Sequence, residues 1–374
     1  MKEVALRALS LFTGAGGLDL GVESAGYEVV FAIENDHTAV ETLNLNRHRY
    51  FPSLSEVGPL DITQLDPQMV MEEVGIAEGE IDLLVGGPPC VAFSKSGFHL
   101  DYKREGRDPR AGLLGDYLRF LEAIRPGAYL LENVFGLAYR NQSAPFFNAL
   151  VDGIRSLGYS VSYEVLNAAD YGVPQNRQRL FVVGRRDGKT LDLPAPTHWG
   201  EHERRRPPDH VDDLLPHVTA REAFRGLRAR PEPTEEVNGK YGHLLPDIPP
   251  GRNYLHFTAH EGHPEPLFKW RSRYWTFLLK LDPDRPASTI QGQPGPYVGP
   301  FHWRNRRLRV PELKRLQGFP DNFKLAGSRR DIQLQIGNSV PPPLVAKIAE
   351  EIRGQLAVSE VTEAASRRQL SLAA

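Results

Sequence analysis

The sequence predicts an α/β protein on a doubly wound, mostly parallel sheet, with a smaller second domain. Three observations carry that expectation. Short apolar, β-branched runs alternate with helix-length segments from Ala5 to about Gly184. Glycine- or proline-rich turns stop several of these runs abruptly, as at Thr13–Gly17 and Gly86–Pro89. The pattern then lapses after Arg186 into Pro, Arg and His with weak periodicity, and returns after Arg309.

Taken in order, Ala5 to Phe12 reads as the first strand, followed by a tight glycine turn. Leu18 to Ser24 reads as a short helix closed by Gly26, and Tyr27 to Ile33 as a second strand ending at Glu34. His37 to Asn46 has helical character. Ile81 to Val85 is a short apolar run, the pattern of a strand buried on both faces. Leu113 to Ile124 carries apolar residues at helical spacing and stops before Pro126. Ala128 to Leu131 is a strand that ends at Glu132-Asn133. Phe146 to Leu157 reads as a helix, and Tyr159 to Leu166 and Arg179 to Gly184 as strands. Beyond the irregular stretch, Glu312 to Gln317 is a short helix, and Pro341 opens a longer one through Ile352. The Ala-, Ser- and Glu-rich tail from Val358 is expected to fray. The resulting division is 1–185, a cofactor-binding domain; 186–309, a second domain; 310–357, a segment returning to the first; and 358–374, a flexible tail.

Composition narrows the function. The 374 residues carry a net charge of −2, so the protein as a whole is no polycation. Between Arg185 and Arg309, however, 21 Lys/Arg face 16 Asp/Glu, a local basic excess. One cysteine excludes an intramolecular disulfide and fits a reducing compartment. The charged N-terminus does not read as a signal peptide, and no apolar run approaches the roughly 20 residues that span a bilayer. The expected location is cytoplasmic, without membrane or metal.

That cysteine, Cys90, follows Gly86-Gly87-Pro88-Pro89 at the carboxyl end of a predicted central strand, where open α/β sheets bind ligands. A thiol on a stiff turn beside a basic loop has the placement of a nucleophile. A lone cysteine is also commonly a small buried hydrophobe, and this stretch alone does not choose. Phe12-Thr13-Gly14-Ala15-Gly16-Gly17 after strand one, Glu34 after strand two and Asp61-Ile62 further on make a nucleoside-cofactor arrangement. The spacing does not say which adenosine-containing cofactor binds.

At this point six short motifs, in order, resemble the cytosine-C5 DNA methyltransferase family. They are Phe12 to Gly17, Gly87-Pro88-Pro89-Cys90, Glu132-Asn133-Val134, Gln175-Asn176-Arg177-Gln178-Arg179, Arg285 to Ile290, and Gly337-Asn338-Ser339-Val340-Pro341. The resemblance covers Leu9 to Ile352 except about Arg186 to Asp284. It implies the S-adenosylmethionine-dependent methyltransferase fold and a methyl transfer to C5 of a cytosine flipped out of duplex DNA. Cys90 would add to C6 as a thiolate. Glu132 would hold the N3 edge, Arg179 the O2 oxygen, and Arg177 would brace the site by pairing with a carboxylate. S-adenosylmethionine would meet Phe12, Gly14, Gly16, Gly17, Glu34, Asp61, Ile62, Pro88, Leu114, Asn338 and Ser339. Two departures stand out: Asn35 follows Glu34 where many members place an aromatic, and Val91 follows Cys90 where Gln is frequent.

Ser94 to Gly112 resembles the family's catalytic loop, with Ser94 and Lys95 facing DNA. The variable stretch would be the target-recognition domain. Thr289 matches a backbone-contacting position, and Arg271, Arg273, Gln291, Gln293 and Arg304 are candidate base readers, because Arg and Gln make bidentate contacts with bases. The implied partner is double-stranded DNA; the protein, itself monomeric, would be either the modification half of a restriction-modification system, with a cognate restriction endonuclease acting on the same site, or a solitary methylase. A tRNA cytosine methyltransferase on the same fold is the first alternative. Its relatives carry a Cys-Phe-Thr signature that a chain with the single Cys90 lacks. A non-catalytic DNA- or cofactor-binding descendant is the second, and the joint presence of Cys90, Glu132 and Arg179 argues against it.

Overall fold

The computed structural model describes residues 5–89, 112–139, 143–200, 205, 207–208 and 210–372. Cys90, Ser94 and Lys95 lie outside the described residues. Two compact units divide the chain. The first comprises residues 1–166, 178–195 and 344–374, and the second 167–177 and 196–343.

The first unit is built on a six-stranded sheet. Its strands are β1 Leu6–Leu11, β2 Tyr27–Ile33, β3 Leu83–Gly86, β4 Ala128–Val134, β5 Ser162–Asn167 and, after the two-residue β6 Gln175–Asn176 of the second unit, β7 Gln178–Arg185. Their order across the sheet is β2-β1-β3-β4-β7-β5. β2, β1, β3 and β4 run parallel, and β7 runs antiparallel to β4. The chain leaves β1 in one direction to form β2 and returns on the other side as β3, so a topological switch lies between β1 and β3. Helices α1 Gly17–Ser24, α2 His37–Tyr50, α3 Pro67–Val74, α4 Leu113–Ile124, α5 Gly136–Tyr139 and α6 Ala144–Ser156 accompany these strands.

Helix boundaries follow local chemistry. Asp36 accepts the backbone N–H of Ala39 at 2.8 Å and starts α2, which runs past Asn46 to Tyr50 because nothing in between breaks it. Pro67 at the first turn and left-handed Gly75 at the end bound α3. One apolar cluster of the core brings Leu9, Leu11, Leu84, Tyr129 and Leu131 of the sheet against Tyr117, Phe120, Leu121 and Ile154 of the helices. Gly86, the last residue of β3, sits against both layers. A Cβ there would lie 2.9 Å from the Tyr117 ring and 3.1 Å from the Leu11 carbonyl oxygen, so only glycine ends the strand without displacing them.

The second unit has little regular structure. β6 pairs in parallel with Ala287–Ser288. One aromatic cluster gathers Tyr254, Phe257, Phe277 and Phe301, and a second gathers Leu281, Ile290, Leu313, Leu316 and Ile336. The latter draws in α7 Ala220–Ala223, α8 Val310–Gln317 and α9 Arg329–Asn338. Residues 310–343 group with the second unit, because their apolar faces fill its core. The last helix is α10 Pro342–Leu372. Ala, Glu and Leu, all good helix formers, are its commonest residues.

Candidate active site

Register places the first unit's functional residues. Leu11 of β1 pairs with Ile33 of β2 and with Gly86 of β3, and Gly86 pairs with Leu131 of β4. Four strands thus end level, and the residues just beyond or at those ends, Phe12, Glu34, Gly87 and Glu132, share one carboxyl edge of the sheet. That is where an open α/β sheet offers a ligand its crevice.

On one side of the switch point the turn after β1 is unusual. Phe12 has φ 55°, and Gly14 and Gly16 have φ 57° and 79°. For phenylalanine this is a sparsely populated conformation, of the kind that persists at ligand sites. Gly14 donates its N–H to Glu34 Oε2 at 2.7 Å, while Asn35 and Asp36 donate to Oε1 at 2.9 and 2.8 Å. Three backbone donors hold the carboxylate in one orientation. Leu60 donates to the Glu34 carbonyl at 2.7 Å, which brings Asp61 and buried Ile62 alongside. Asp61 caps the turn that follows by accepting from Thr63 N at 3.0 Å. Among the described residues a Cβ on Gly14 would meet nothing within 4 Å, so they leave space above its backbone. A fixed carboxylate, a glycine backbone with room over it and an apolar side chain nearby fit a nucleoside with a ribose diol.

On the other side lie Glu132 and Arg179. Antiparallel pairing sets Val134 opposite Arg179 and Glu132 opposite Phe181. Residues two apart in a strand share a face, so Glu132 and Arg179 are diagonal neighbours. Arg179 Nε reaches Glu132 Oε1 at 2.9 Å, and both side chains are largely buried. Burial pulls the Arg179 guanidinium below its ordinary value, and the Glu132 charge opposes it. A guanidinium keeps its proton under such pressure, so the site holds a fixed positive charge. Glu132 also borders the turn that leads to Cys90. A Cβ on Gly87 would stand 3.3 Å from Glu132 Oε2, and Asn133 Nδ2 donates to the Pro88 carbonyl at 3.2 Å. Leu114, in the first turn of α4, packs half-buried against the core.

Arg177 lies deep in the second unit. It is 1% exposed and donates to the carbonyls of Ile290 at 3.3 Å and Gly337 at 2.8 Å. These bonds make it a strut onto backbone oxygens where strand β6, Ile290 and α9 converge inside the second unit. Gln175 reinforces that strut, donating to Leu316 O at 3.1 Å and accepting from Ile290 N at 3.0 Å.

The remaining predicted residues also lie in the second unit. Thr289 donates its hydroxyl to Asn176 O at 2.7 Å. Gln333 pins the Gln291 carbonyl at 2.8 Å, and Gln293, Arg271, Arg273 and Arg304 are exposed. Asn338 is exposed at the end of α9, whereas Ser339 is buried with its hydroxyl on Gln335 O at 2.7 Å.

One residue escaped the sequence reading. Asp19, in the first turn of α1, is fully buried, and neither carboxylate oxygen has a hydrogen-bond partner. Burial raises its pKa to about 7; the Ser10 hydroxyl tempers the rise without reaching hydrogen-bond geometry. The signal was available, an acid inside the apolar run Gly17-Leu18-Asp19-Leu20-Gly21-Val22.

A glycine turn and a clamped carboxylate at a switch point, with an ion pair beside a Pro-Pro turn, define a nucleoside-cofactor α/β enzyme. The chain belongs to the C-5 cytosine-specific DNA methylase family, which it matches over residues 6–354. It is 45% identical to the Type II methyltransferase M.SacI of Streptomyces achromogenes, across 94% of this chain and 93% of that protein. It is 31% identical to the Type II methyltransferase M.NgoFVII of Neisseria gonorrhoeae, across 92% of this chain and 86% of that protein. Among solved structures it is similar to Spodoptera frugiperda DNMT2, with a TM-score of 0.62 at 17% identity over 93% of this chain and 99% of that one. The chain is accordingly a C-5 cytosine DNA methyltransferase acting on DNA, and enzymes of this family use S-adenosylmethionine. No helix among the described residues is long and apolar enough to cross a membrane.

Proposed function

We propose that the protein methylates C5 of a cytosine flipped from a specific duplex sequence, with Cys90 as nucleophile and Glu132 and Arg179 holding the base. The ion pair beside the turn to Cys90 is the observation that carries this reading. Cytosine C5 is too weak a nucleophile to attack a methyl group unaided. The Cys90 thiolate donates its electron pair to C6, and the C5–C6 π electrons then become available at C5. Negative charge would build on the ring as the sulfur adds. Glu132 relieves it with a proton or hydrogen bond at N3, and Arg179 with its fixed charge at O2. S-adenosylmethionine, when bound, supplies the methyl group. After transfer the C5 proton leaves to a base, the C5–C6 double bond re-forms and the Cys90 thiolate departs.

Phe12, the glycine turn, Glu34, Asp61, Ile62, Pro88 and Leu114 would hold the cofactor, with Asn338 and Ser339 at its methionine end. Ser94 and Lys95 would close over the base, and the second unit would recognise the sequence. The Type II relatives support a place in a restriction-modification system; an endonuclease of the same specificity, a cytoplasmic location and a monomeric state belong to the same proposal.

The test uses duplex DNA with 5-fluorocytosine at the target position. Fluorine cannot leave C5 as a cation, so the Cys90 adduct formed with S-adenosylmethionine present persists through denaturation. A cofactor-dependent shifted band on a denaturing gel is expected from the wild type, none from Cys90→Ala, and a slower one from Glu132→Gln. No band with a verified target, or the same band from Cys90→Ala, overturns the mechanism. Trapping on RNA in preference to duplex DNA overturns the substrate.

A further inference from the structure

We infer that Arg271, on the Lys269–Ser272 turn of the second unit, reads a guanine in the target duplex, and that Trp270 holds its guanidinium for that purpose. The inference deepens the proposed methylation and rests on it. Among the described residues nine large hydrophobic side chains are exposed, and four of them fall within Leu267–Trp275. Trp270 is 50% exposed, Tyr274 69% and Trp275 58%. Aromatic surface left in water at this density marks a surface that a partner covers.

The chemistry of the stretch selects the partner. Lys269, Arg271 and Arg273 alternate with the aromatics, and no acidic residue occurs from Pro266 to Leu281. Cations interleaved with flat apolar rings complement a polyanion whose interior is flat rings, a nucleic acid, better than they complement an ordinary protein surface.

The turn is presented rigidly. Phe268 and Phe277 on either side pack into the aromatic cluster of this unit. Tyr254 Oη donates to the Arg273 carbonyl at 2.9 Å, Asn253 Nδ2 donates to the Trp275 carbonyl at 2.7 Å, and Ser272 N closes the turn on Lys269 O at 3.2 Å. Between these anchors the two arginines differ. Arg273 lies 5.8 Å from the Phe277 ring and near enough to Tyr241 to lower the pKa of its hydroxyl. Arg271 faces out. Its guanidinium lies 4.3 Å over the Trp270 ring, which is itself tilted against His260 at 4.8 Å, and among the described residues it makes no hydrogen bond or ion pair. Stacking uses the face of a guanidinium and leaves its edge donors available. Two of those donors match the O6 and N7 acceptors of guanine in the major groove. Arg271 also has φ 56°, a conformation unfavourable for a residue with a Cβ and of the kind that persists at ligand sites.

The experiment methylates a pool of duplexes randomised around the target cytosine and reads the products by bisulfite sequencing. The wild type is expected to require guanine at a defined position. Arg271→Ala relaxes that requirement by about 10- to 100-fold at one position and leaves the others intact. Arg271→Lys keeps the charge but not the fork, and relaxes the same position. Trp270→Ala does so more weakly. Uniform loss across all sequences with rescue by Arg271→Lys would make Arg271 a phosphate contact and overturn the inference. So would an unchanged sequence profile in Arg271→Ala, which would leave the exposed aromatics to a protein partner. Absence of any methylation by the wild type overturns the methylation reading itself, and the inference with it.

Discussion

Replacing Asp19 with asparagine should change how the protein's stability depends on pH. The carboxyl group is buried in the first turn of α1 without a hydrogen-bond partner, and its pKa lies at about 7 against an ordinary 3.8. In the folded protein it therefore keeps its proton up to near neutrality, whereas in the unfolded chain it loses it around pH 4. Between those limits the native state binds more protons, so stability falls as pH rises through the window. At 1.36 kcal/mol per pK unit, the loss that Asp19 contributes above pH 7 is at most roughly 4 kcal/mol. Asparagine is close in shape and carries no charge to bury. Any cost of its amide is independent of pH, so the difference between variant and wild type isolates the titration. Urea unfolding of both proteins from pH 4.5 to 8, at constant ionic strength, measures it. The variant should gain on the wild type steadily as pH rises and level off above neutrality. A difference that stays flat within about 0.5 kcal/mol across the range would refute the burial argument.

Glu132→Gln should leave Arg179 buried beside a neutral partner, costing about 1–3 kcal/mol in denaturant unfolding and at least about 100-fold in methyl transfer measured with labelled cofactor. His302 is buried, and burial followed by Arg306 lowers its pKa to about 4. The unfolded chain takes up that proton first, so stability is lost as pH falls from 6.5 toward 4, by at most about 3 kcal/mol. Substituting His302 with phenylalanine should remove this limb from the unfolding profile. Gly16→Ala forces a Cβ into φ 79° and to within 3.0 Å of Leu43 and Phe51, and should cost roughly 1–2 kcal/mol while weakening S-adenosylmethionine in a calorimetric titration.

Local pattern determined much of this protein. Tyr27–Ile33 and Leu113–Ile124 fold within the limits that their periodicity and flanking breakers set. The glycine turn, Glu34 and the Pro-Pro turn fall at strand ends because glycine and proline stop strands wherever the sheet lies. Such features depend on residues a few positions apart. What needed the tertiary structure depends on residues far apart in the chain. β7 reads as a strand in isolation, but only its antiparallel register against β4 makes Arg179 a neighbour of Glu132 across the ladder. Arg177 looks like any exposed cation in sequence, yet the convergence of Ile290 and Gly337 buries it and supplies carbonyl partners. Residues 310–343 carry no mark of which core they fill until Leu313, Leu316 and Ile336 meet Leu281 and Ile290. Asp19 differs from a surface acid only in what packs over it. Periodicity is written along the chain, whereas register, burial and the choice of partner are fixed by which distant surfaces exclude water together.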